Sequence, residues 1–525
     1  MFPSVGVRRL SVAVLFLGLA RTVGAPSAMS VEFDRRTVHF ALAGDSTVTD
    51  TAGWGSAFSK LLASGVLCTN VAGGGQSTKS FRDSGRWQRV LDARPTHVLI
   101  QFGHNDQPGK GPHRETDAAT TYRANLARFV DEARAAGAVP ILVTSLTRRG
   151  FENGKLVDIL GPYAAAMRIV AAEKQVPLVD LYARSTAIVK CLGEQGSMKL
   201  SPPSTKGVDR THLNALGAAV MAKVVVGQLR QVAPELAPCF GDQPRTVRLL
   251  TIGNSFSRNA MNYFDELALC GGQTLVVQQA TIGGSSMQQH LDKARLHEQD
   301  ATDPKGLYDS KRSLKDYLTA EAWDFITIQQ RSLVSHDVAT YRPAAEQLAA
   351  YVKRYAPHAE LLLHQTWAYR VDDPRFHLAD PKPGEPRTQR EMYEGLTKAY
   401  DAIATELGAG IVPVGDAFFA ADTDATWGYR SAGVVDLKSF AYPKLPPQTH
   451  SLHVGWRWST KGKQMLGMDG HHADTAGEYL AGCVFYEALF GEPVIDNPYV
   501  PPQLDADYAE FLRATAHAAV ERRRD

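Results

Sequence analysis

Two stretches of similar sequence decide the fold: TVHFALAGDS at residues 37–46 and TVRLLTIGNS at residues 246–255. Each is a short, largely apolar run, which is typical of a strand buried on both faces of a parallel sheet. Each run ends in a glycine, a polar residue and a serine, and the two serines, Ser46 and Ser255, are 209 positions apart. The chain therefore contains the same strand and turn twice.

Two further pairs of motifs repeat along with these strands. The motifs GGGQS and IGGSS contain Gly75 and Gly284, which are also 209 positions apart. DRTHLNALG at residues 209–217 and DGHHADTAG at residues 469–477 align without gaps at a separation of 260 positions, so the second copy has gained 51 residues between its serine and its histidine. Equal spacing of separate motifs indicates a duplicated fold.

Length and periodicity predict two α/β domains. A single hydrophobic core stops growing near ~250 to 300 residues, and this chain has 525. In both halves, short apolar runs alternate with segments of helical spacing, which indicates parallel strands joined by helical crossovers. We expect two tandem three-layer α/β/α domains with mainly parallel, flavodoxin-like sheets. The expected strands and helices are 38–43, 96–102, 139–145, 176–181, 247–252, 325–328, 361–364 and 411–414, and 122–136, 161–174, 215–232, 344–355, 390–407 and 475–490.

The chain divides into four segments. Residues 1–28 have the basic flank, short apolar core and small-residue exit of an export signal, so we expect a secreted or periplasmic protein without a membrane anchor after cleavage. Residues 30–235 are expected to form the first domain, and the proline-containing segment 236–245 a linker. Residues 246–525 are expected to form the second domain, which carries insertions.

Composition and charge exclude several classes of protein. Hydrophobic residues make up 44% and charged residues 21%, which argues against disorder and against a membrane bundle. Lys plus Arg at 57 against Asp plus Glu at 55 leaves a net charge of +2, without the basic excess of a nucleic-acid-binding protein. The sequence leaves the oligomeric state open.

The cysteines and histidines lack the spacing of a metal site, so we expect neither a metal nor another cofactor. An oxidising compartment would allow one disulfide, but the sequence does not pair the cysteines. Their number is odd and their spacing wide: Cys68, Cys191, Cys239, Cys270 and Cys483.

The residue types in the first half point to acyl transfer. A serine at the exit of a central parallel strand lies at the edge where α/β sheets bind ligands. Its hydroxyl becomes a nucleophile when a histidine takes the proton and a carboxylate orients that histidine, so Ser46, His212 and Asp209 are expected to form a triad. The N–H groups of Ser46 and Gly75, with the Asn105 amide, are expected to bind the oxyanion.

These motifs resemble the four ordered blocks of the SGNH (GDSL) hydrolases. Gly44-Asp45-Ser46, Asn70 with Gly75, GHND at residues 103–106 and DRTH at residues 209–212 occur in the family's order. FGHND and STKSFRDSGRW give residues 36–235 a likeness to the rhamnogalacturonan acetylesterase branch. The resemblance implies Ser46 as nucleophile, His212 as base and Asp209 as its partner, with Gly75 and Asn105 as oxyanion donors. Gln76 stands where such enzymes often carry Arg.

The second half resembles a more divergent SGNH unit. Ser255, Asp469, His472 and Gly284 match the blocks, but ITIQQRS replaces the Gly-x-Asn motif. Either Gln330 or Gln329 is a candidate for the missing amide, and Gln330 is our choice. The inserted segments DATWGYRS and HVGWRWS are rich in aromatic residues, which commonly stack on sugar rings but equally often pack a loop.

These features predict a secreted carbohydrate acetylesterase with two Ser-His-Asp sites, acting on acetylated plant cell-wall polysaccharide or oligosaccharide of the pectin type. One alternative is a single esterase domain fused to a noncatalytic, glycan-binding SGNH relative. A second alternative is a lipase or thioesterase, since related folds also host those activities. A working second triad is favoured because a noncatalytic copy has no chemical reason to keep all three residues together with the glycine.

Overall fold

The computed structural model describes residues 37–524, except 158, 206, 432, 434, 435, 437, 438 and 460–464. The predicted export signal at residues 1–28 lies outside the described residues. Within the described part of the chain, no helix is both long and apolar enough to cross a membrane.

The first sheet contains five parallel strands in the order β2-β1-β3-β4-β7. A short antiparallel hairpin, β5 with β6, lies between β4 and β7 in sequence. The strands of this half are β1 His39–Gly44, β2 Leu67–Asn70, β3 His97–Gln101, β4 Val139–Val143, β5 Phe151–Glu152, β6 Lys155–Leu156 and β7 Leu178–Val179.

The second sheet also contains five parallel strands, in the order β9-β8-β10-β11-β12. An antiparallel hairpin, β13 with β14, follows it in sequence. The strands of this half are β8 Thr246–Gly253, β9 Thr274–Thr281, β10 Phe325–Ile328, β11 Glu360–His364, β12 Gly410–Val412, β13 His453–Trp458 and β14 Leu466–Ala473.

Helices form the outer layers of both domains. In the first domain, α1, α6 and α7 supply one buried cluster and α2 to α5 supply a separate one, so the sheet is covered on both faces. In the second domain, α15 packs against α8, α9 and α14, while α12 packs against α10, α11 and α13. The helices are α1 Gly55–Lys60, α2 Thr78–Asp83, α3 Arg86–Asp92, α4 Thr121–Ala135, α5 Gly161–Lys174, α6 Leu181–Ser197, α7 Ala215–Val232, α8 Ser255–Ala260, α9 Phe264–Cys270, α10 Met287–Gln299, α11 Leu314–Thr319, α12 Ala344–Tyr355, α13 Gln389–Leu407, α14 Val414–Thr423, α15 Thr475–Phe490 and α16 Ala506–Arg524.

The prediction of two three-layer, flavodoxin-like domains is confirmed. Both sheets have the strand order 2-1-3-4-5 when the strands of each parallel sheet are numbered separately. The order reverses next to the first strand, and this switch point opens a crevice at the carboxyl edge of the sheet. Ser46 and Ser255 both follow that first strand, so each serine lies at such a crevice.

The strands that the sequence did not reveal are β2 and β9, each at the edge of its sheet, the short hairpin β5–β6, and the hairpin β13–β14. The edge strands are half-exposed over most of their length, so they lack the continuous apolar run that marks a buried strand. The hairpin β13–β14 lies within the additional residues of the second domain, and β14 carries both Asp469 and His472.

Residues 234–241 lie against the first domain, whereas Gln243 and Arg245 contact the second. Pro234–Cys239 forms a 3₁₀ helix, and the Ala63 N–H donates to the Cys239 carbonyl over 2.8 Å. Phe240 stacks on Phe40 of β1 with ring centroids 6.0 Å apart. The segment predicted as a linker therefore packs on the core of the first domain over half its length.

Candidate active site

Ser46 is held in a tight turn at the end of β1. Asp45 is fully buried, and its Oδ1 accepts hydrogen bonds from the Thr47 N–H at 2.9 Å and the Thr47 hydroxyl at 2.7 Å. A side chain at Gly44 would meet Val48 Cγ2 at 2.5 Å and the Gln101 carbonyl at 2.9 Å, so only glycine fits there. This turn leaves the Ser46 side chain half-exposed at the sheet edge.

The structure brings the three predicted residues of the first triad together. His212 Nε2 lies 3.0 Å from Ser46 Oγ, and His212 Nδ1 lies 2.8 Å from Asp209 Oδ2. Asp209 Oδ1 also accepts from the backbone N–H groups of Thr211 and His212, each over 2.9 Å. The carboxylate therefore holds both the loop and the imidazole.

The Asp209 carboxylate stays ionised at any physiological pH. Burial raises its pKa, but the hydrogen bonds from the His212 backbone and ring and from the Thr211 N–H outweigh that effect and hold the pKa at about 2. A permanent negative charge beside Nδ1 keeps the proton on that nitrogen and leaves Nε2 free to accept the serine proton.

The groups predicted to bind the oxyanion at the first site are the backbone N–H groups of Ser46 and Gly75 and the side-chain amide of Asn105. Gly75 adopts a φ of +72°, a left-handed conformation that favours glycine. Among the described residues, no acceptor takes a hydrogen bond from the backbone N–H of Ser46 or Gly75. Asn105 Nδ2 donates to the Gln76 carbonyl over 3.0 Å, which leaves the second amide hydrogen available. The three donors predicted for the oxyanion therefore retain free N–H groups.

Ser255 occupies the equivalent turn in the second domain. It begins α8, and Asn254 caps that helix by accepting from the Phe256 N–H over 3.0 Å. A side chain at Gly253 would collide with Ser257 and with Gln329, whose Oε1 would lie 2.7 Å away. Asn254 thus takes the place of Asp45. Like Asp45, it accepts a hydrogen bond from the backbone N–H of the second residue after it, but its side chain is neutral.

The second triad is also assembled. His472 Nε2 lies 2.9 Å from Ser255 Oγ, and His472 Nδ1 lies 3.1 Å from both carboxylate oxygens of Asp469. Asp469 is buried and has two further basic neighbours, His471 Nδ1 at 3.2 Å and the Arg457 guanidinium at 3.3 Å. Burial raises the pKa of Asp469, but the hydrogen bond and charge of His472 and the nearby His471 hold it well below its usual range.

A cavity of about 490 Å³ opens above the second serine. Its walls contain charged side chains of both signs together with apolar and aromatic groups. The described lining residues are Asn254, Ser255, Phe256, Gly284, Arg331, Ser332, Leu333, Tyr369, Asp373, Pro374, Arg375, Met468, His471 and His472. A sugar residue fits such a mixed polar and apolar pocket.

The aromatic insertions of the second domain contribute mainly to packing. Trp427 of DATWGYRS stacks on Tyr508 and Phe511 of α16, at centroid distances of 5.5 and 5.8 Å. Tyr429 is buried, and its ring lies 4.3 Å from the Arg370 guanidinium. Tyr369, which the sequence did not single out, is the aromatic residue that lines the cavity together with Phe256.

The Gln330 side chain is engaged away from Ser255. Its Oε1 accepts from the backbone N–H groups of Met287 and Arg331, and its Nε2 donates to the Thr340 carbonyl over 2.8 Å. Gln329 Nε2 donates to Asn254 Oδ1 over 2.9 Å. The described lining of the cavity includes neither glutamine. The oxyanion role predicted for Gln330 therefore finds no support in its contacts.

Gln330 instead does in the second domain what Asp106 does in the first. Asp106 Oδ1 accepts from the Thr78 N–H at the start of α2, and Gln330 Oε1 accepts from the Met287 N–H at the start of α10. Thr78 and Met287 are 209 positions apart. Burial raises the pKa of Asp106 to about 7, although hydrogen bonds from Thr78 and Thr116 oppose the shift. The second domain replaces this buried acid by a neutral amide.

Two buried arginines support the triads, and sequence reasoning missed both. Arg149 donates through its guanidinium to the carbonyls of Asp209, at 3.2 Å, and of His212. Arg370 follows the end of β11 by the same number of residues as Arg149 follows the end of β4. The backbone N–H of Arg370 donates to the Gly470 carbonyl, and the backbone N–H of Arg149 donates to the Arg210 carbonyl. The guanidinium of Arg370, however, pairs with Asp372 at 2.7 Å. The equal separation of Arg149 from β4 and of Arg370 from β11 was the signal in the sequence that could have identified this pair.

The second triad also has the ligand types of a metal site. One ligand atom from each of Asp469, His471 and His472 lies within 4.8 Å of the others, and the same holds for Glu487, His517 and Glu521. In the first group, His472 Nε2 already faces the serine hydroxyl and Nδ1 faces the carboxylate. A histidine that accepts the serine proton requires these two contacts, with one ring nitrogen on the hydroxyl and the other on the carboxylate.

Comparison with known proteins separates the two halves. The GDSL-like Lipase/Acylhydrolase family matches residues 42–220, and a domain of unknown function, DUF4886, matches residues 248–426. The rhamnogalacturonan acetylesterase RhgT of Bacillus subtilis is 38% identical over 217 residues, 38% of this chain and 92% of the relative. The probable rhamnogalacturonan acetylesterase YesY of the same organism is 37% identical over 202 residues, 37% of this chain and 93% of the relative.

Among solved structures, a DUF4886 family protein from Bacteroides uniformis is similar to this chain with 26% sequence identity. The match covers 53% of this chain and 95% of that protein, with a TM-score of 0.41.

Proposed function

The chain belongs to the GDSL-like lipase/acylhydrolase family and is a carboxylic ester hydrolase, and we propose that it removes acetyl groups from plant cell-wall polysaccharide of the rhamnogalacturonan type. The observation that carries the proposal is the hydrogen-bonded series Ser46, His212 and Asp209 in a domain that covers 92% of a rhamnogalacturonan acetylesterase. A second relative, YesY, is described as a probable rhamnogalacturonan acetylesterase.

In the proposed reaction, Ser46 Oγ attacks the acetyl carbonyl while His212 Nε2 accepts the hydroxyl proton. The tetrahedral intermediate collapses to an acetyl-serine, and His212 returns the proton to the departing sugar oxygen. A water molecule, deprotonated by the same nitrogen, then releases acetate and restores the serine. Asp209 stays ionised throughout and stabilises the imidazolium that forms twice in each cycle.

The oxyanion of both tetrahedral intermediates binds to the free N–H groups of Ser46 and Gly75 and to the second hydrogen of the Asn105 amide. These donors are held before substrate arrives, because the turn after β1 and the left-handed Gly75 fix the backbone. Preorganised donors of this kind stabilise the transition state more than the ground state.

The second domain is proposed to be a second esterase site. Its support is the equivalent series Ser255, His472 and Asp469, with a serine-to-histidine distance of 2.9 Å, beside a cavity of sugar size. Its oxyanion would bind to the backbone N–H groups of Ser255 and Gly284, without a side-chain amide. Because the groups around the two triads differ, with Asn254 in place of Asp45 and Gln330 in place of Asp106, we expect the two sites to prefer different acetylated positions or polymers.

The protein is proposed to act outside the cytoplasm, where its polymeric substrate is found. The basic and apolar pattern of residues 1–28 supports this location.

A noncatalytic, glycan-binding second domain is the competing proposal, favoured by the engagement of Gln330 Nε2 with Thr340. Loss of one oxyanion donor typically costs about 100- to 1,000-fold in turnover. The geometry of the second triad is the reason for preferring catalysis.

Acetate release from acetylated pectins, xylans and mannans by three variants tests the proposal. Ser46→Ala should lose ~10⁴-fold or more on its preferred polymer, Ser255→Ala should lose as much on another, and the double variant should be inactive. Ser56→Ala, a half-buried serine on α1, serves as the matched control. If Ser255→Ala equals the wild type on every glycan while Ser46→Ala is inactive, the second domain is a binding module.

A further inference from the structure

The two domains meet along α6 of the first and α9 of the second. Leu192 of α6 packs against the cores of both domains, and Leu269 of α9 packs against the core of the first. Nearby, the Lys223 ammonium donates to the Glu492 carboxylate over 2.7 Å, which joins α7 to the segment after α15. The contact between the domains therefore has an apolar centre and a polar border, like a specific interface.

A pair of thiols lies at the centre of this contact. Cys191 on α6 and Cys270 at the end of α9 place their sulfur atoms 3.3 Å apart, although they are separated by 79 positions in sequence. Both are free thiols in the structure; Cys191 is half-buried and Cys270 is buried. The pair therefore connects one domain to the other through side chains alone.

The geometry allows the two sulfur atoms to bond. A disulfide requires a sulfur–sulfur distance of about 2.05 Å, so the atoms must approach by little more than a rotation of each side chain about its Cα–Cβ bond. Each cysteine also lies near a helix discontinuity: Cys270 is the last residue of α9, and α6 is interrupted at Gly193, whose φ is +67°. Small shifts at these points do not disturb a regular helical turn.

We propose that Cys191 and Cys270 form a disulfide that covalently joins the two esterase domains in an oxidising compartment. The physiological setting rests on the proposed export, but the ability of the pair to bond does not. The half-buried Cys191 would react first, because it is the thiol that an external oxidant can reach.

The reaction requires a disulfide oxidant, such as glutathione disulfide or a thiol–disulfide oxidoreductase. The Cys191 thiolate attacks one sulfur of the oxidant, forms a mixed disulfide and expels one thiolate. The Cys270 thiolate then attacks the Cys191 sulfur, completes the new bond and expels the second thiolate. The two cysteines lose two electrons to the oxidant, and their two protons pass to the released thiolates.

The bond would restrain the unfolded chain more than the folded one. It closes a loop that contains α7 and the 3₁₀ segment joining the domains, and long loops lose the most conformational freedom when closed. It would also prevent the domains from separating under conditions that break the contact between Lys223 and Glu492. The disulfide would then hold the contact between α6 and α9 closed.

Peptide mapping of the full-length protein tests the proposal. The purified protein is equilibrated in a buffer of reduced and oxidised glutathione, denatured with an alkylating agent and digested without reductant. We expect a cross-linked peptide containing Cys191 and Cys270, with three of the five cysteines alkylated, and five alkylated after reduction. The oxidised protein should melt about 5 °C higher than the reduced protein.

The variants Cys191→Ser and Cys68→Ser complete the test, since both positions are half-buried. Cys68→Ser should keep the cross-link and the melting shift, whereas Cys191→Ser should lose both. Five alkylated cysteines in the oxidised wild type, or a cross-link to another cysteine, would overturn the proposal. Because no readout uses ester hydrolysis, failure of the esterase proposal would leave these results unaffected.

Discussion

In the first domain the triad carboxylate, Asp209, lies in a loop before α7, whereas in the second its counterpart, Asp469, lies on β14 of an inserted hairpin. The serine-to-histidine distances are nevertheless 3.0 and 2.9 Å. In both domains the strand order positions the serine. The histidine, in contrast, lies in a loop in the first domain and on β14 in the second. The comparison teaches that the position of the reacting atoms can be kept while the elements that deliver them change.

The groups around the two triads differ more than the triads do. The first domain has Asn105, whose amide donates to the carbonyl of Gln76 next to Gly75, and a guanidinium, from Arg149, on the triad backbone. The second has neither contact: its buried arginine, Arg370, pairs with Asp372 and binds the inserted segment through Gln448. Stabilisation of the oxyanion and of the histidine loop is therefore expected to be stronger in the first domain.

The largest expected difference concerns the oxyanion amide. Each site is assayed alone, the first in a Ser255→Ala background and the second in a Ser46→Ala background. Asn105→Ala should lower kcat of the first site by ~100- to 1,000-fold, because one preorganised donor is lost. Gln330→Met should change kcat of the second site by less than ~5-fold. The Gln330 amide nitrogen donates to both the carbonyl and the hydroxyl of Thr340, at 2.8 and 3.5 Å, and the side chain does not line the cavity above Ser255.

An equal loss of kcat in the two variants would show that Gln330 reaches the oxyanion after all. Melting temperatures of both variants serve as the control, because Gln330→Met also removes the acceptor for the first N–H of α10.

The next difference concerns the buried arginines. Arg149→Lys should lower kcat of the first site by ~10- to 100-fold with little change in KM. Lysine has a single side-chain nitrogen, so it cannot keep the contact of Arg149 Nε with the Ser201 hydroxyl while donating to the carbonyls of Asp209 and His212. Arg370→Lys should lower the melting temperature but change kcat of the second site by less than ~3-fold, since its guanidinium does not contact the triad. Steady-state kinetics and thermal unfolding in the same single-site backgrounds separate the two effects.

Arg149 would be a purely structural residue if Arg149→Lys and Arg370→Lys gave the same loss of stability and no change in kcat.

The smallest expected difference is a dependence of stability on pH. Burial raises the pKa of Asp106 to about 7, so its contribution to stability is fully present below the pKa of the unfolded state, near 4, and is lost as pH rises through 7. Gln330 at the equivalent position does not titrate. Asp106→Asn should therefore flatten the fall in melting temperature between pH 4 and 7, and Gln330→Glu should steepen it.

A parallel pH profile for wild type and Asp106→Asn would show that the hydrogen bonds from Thr78 and Thr116 keep Asp106 ionised in the folded protein. The expected melting shifts are a few degrees and are measured by differential scanning calorimetry in buffers of constant ionic strength.

Much of the fold could be predicted from the sequence because buried strands and amphipathic helices leave strong periodic patterns. The helices 161–174, 215–232, 344–355 and 475–490 and the strand 325–328 have the bounds expected from those patterns. The edge strands β2 and β9 were missed because one side of each strand lacks a neighbour in the sheet, and half-exposed residues do not form an apolar run.

For the candidate sites, the motifs identified the residues that the structure brings together in each triad. They did not identify the partner of Gln330, since Thr340 and Met287 approach it only through the packing of α10 and the loop after β10. Nor did they identify Arg149 and Arg370, because a buried arginine cannot be told from an exposed one by residue type alone.

The sequence by itself determined the duplication, the class of fold and the three side chains of each triad. The equal spacing of strand and glycine motif and the gap-free match of the histidine motifs are both visible in a one-dimensional pattern. Only the tertiary structure decided that Asp469 acts from a hairpin, that Gln330 caps α10 and that Cys191 meets Cys270. These contacts depend on where distant helices and inserted segments pack, and groups 43 or more positions apart carry no local signal of their proximity.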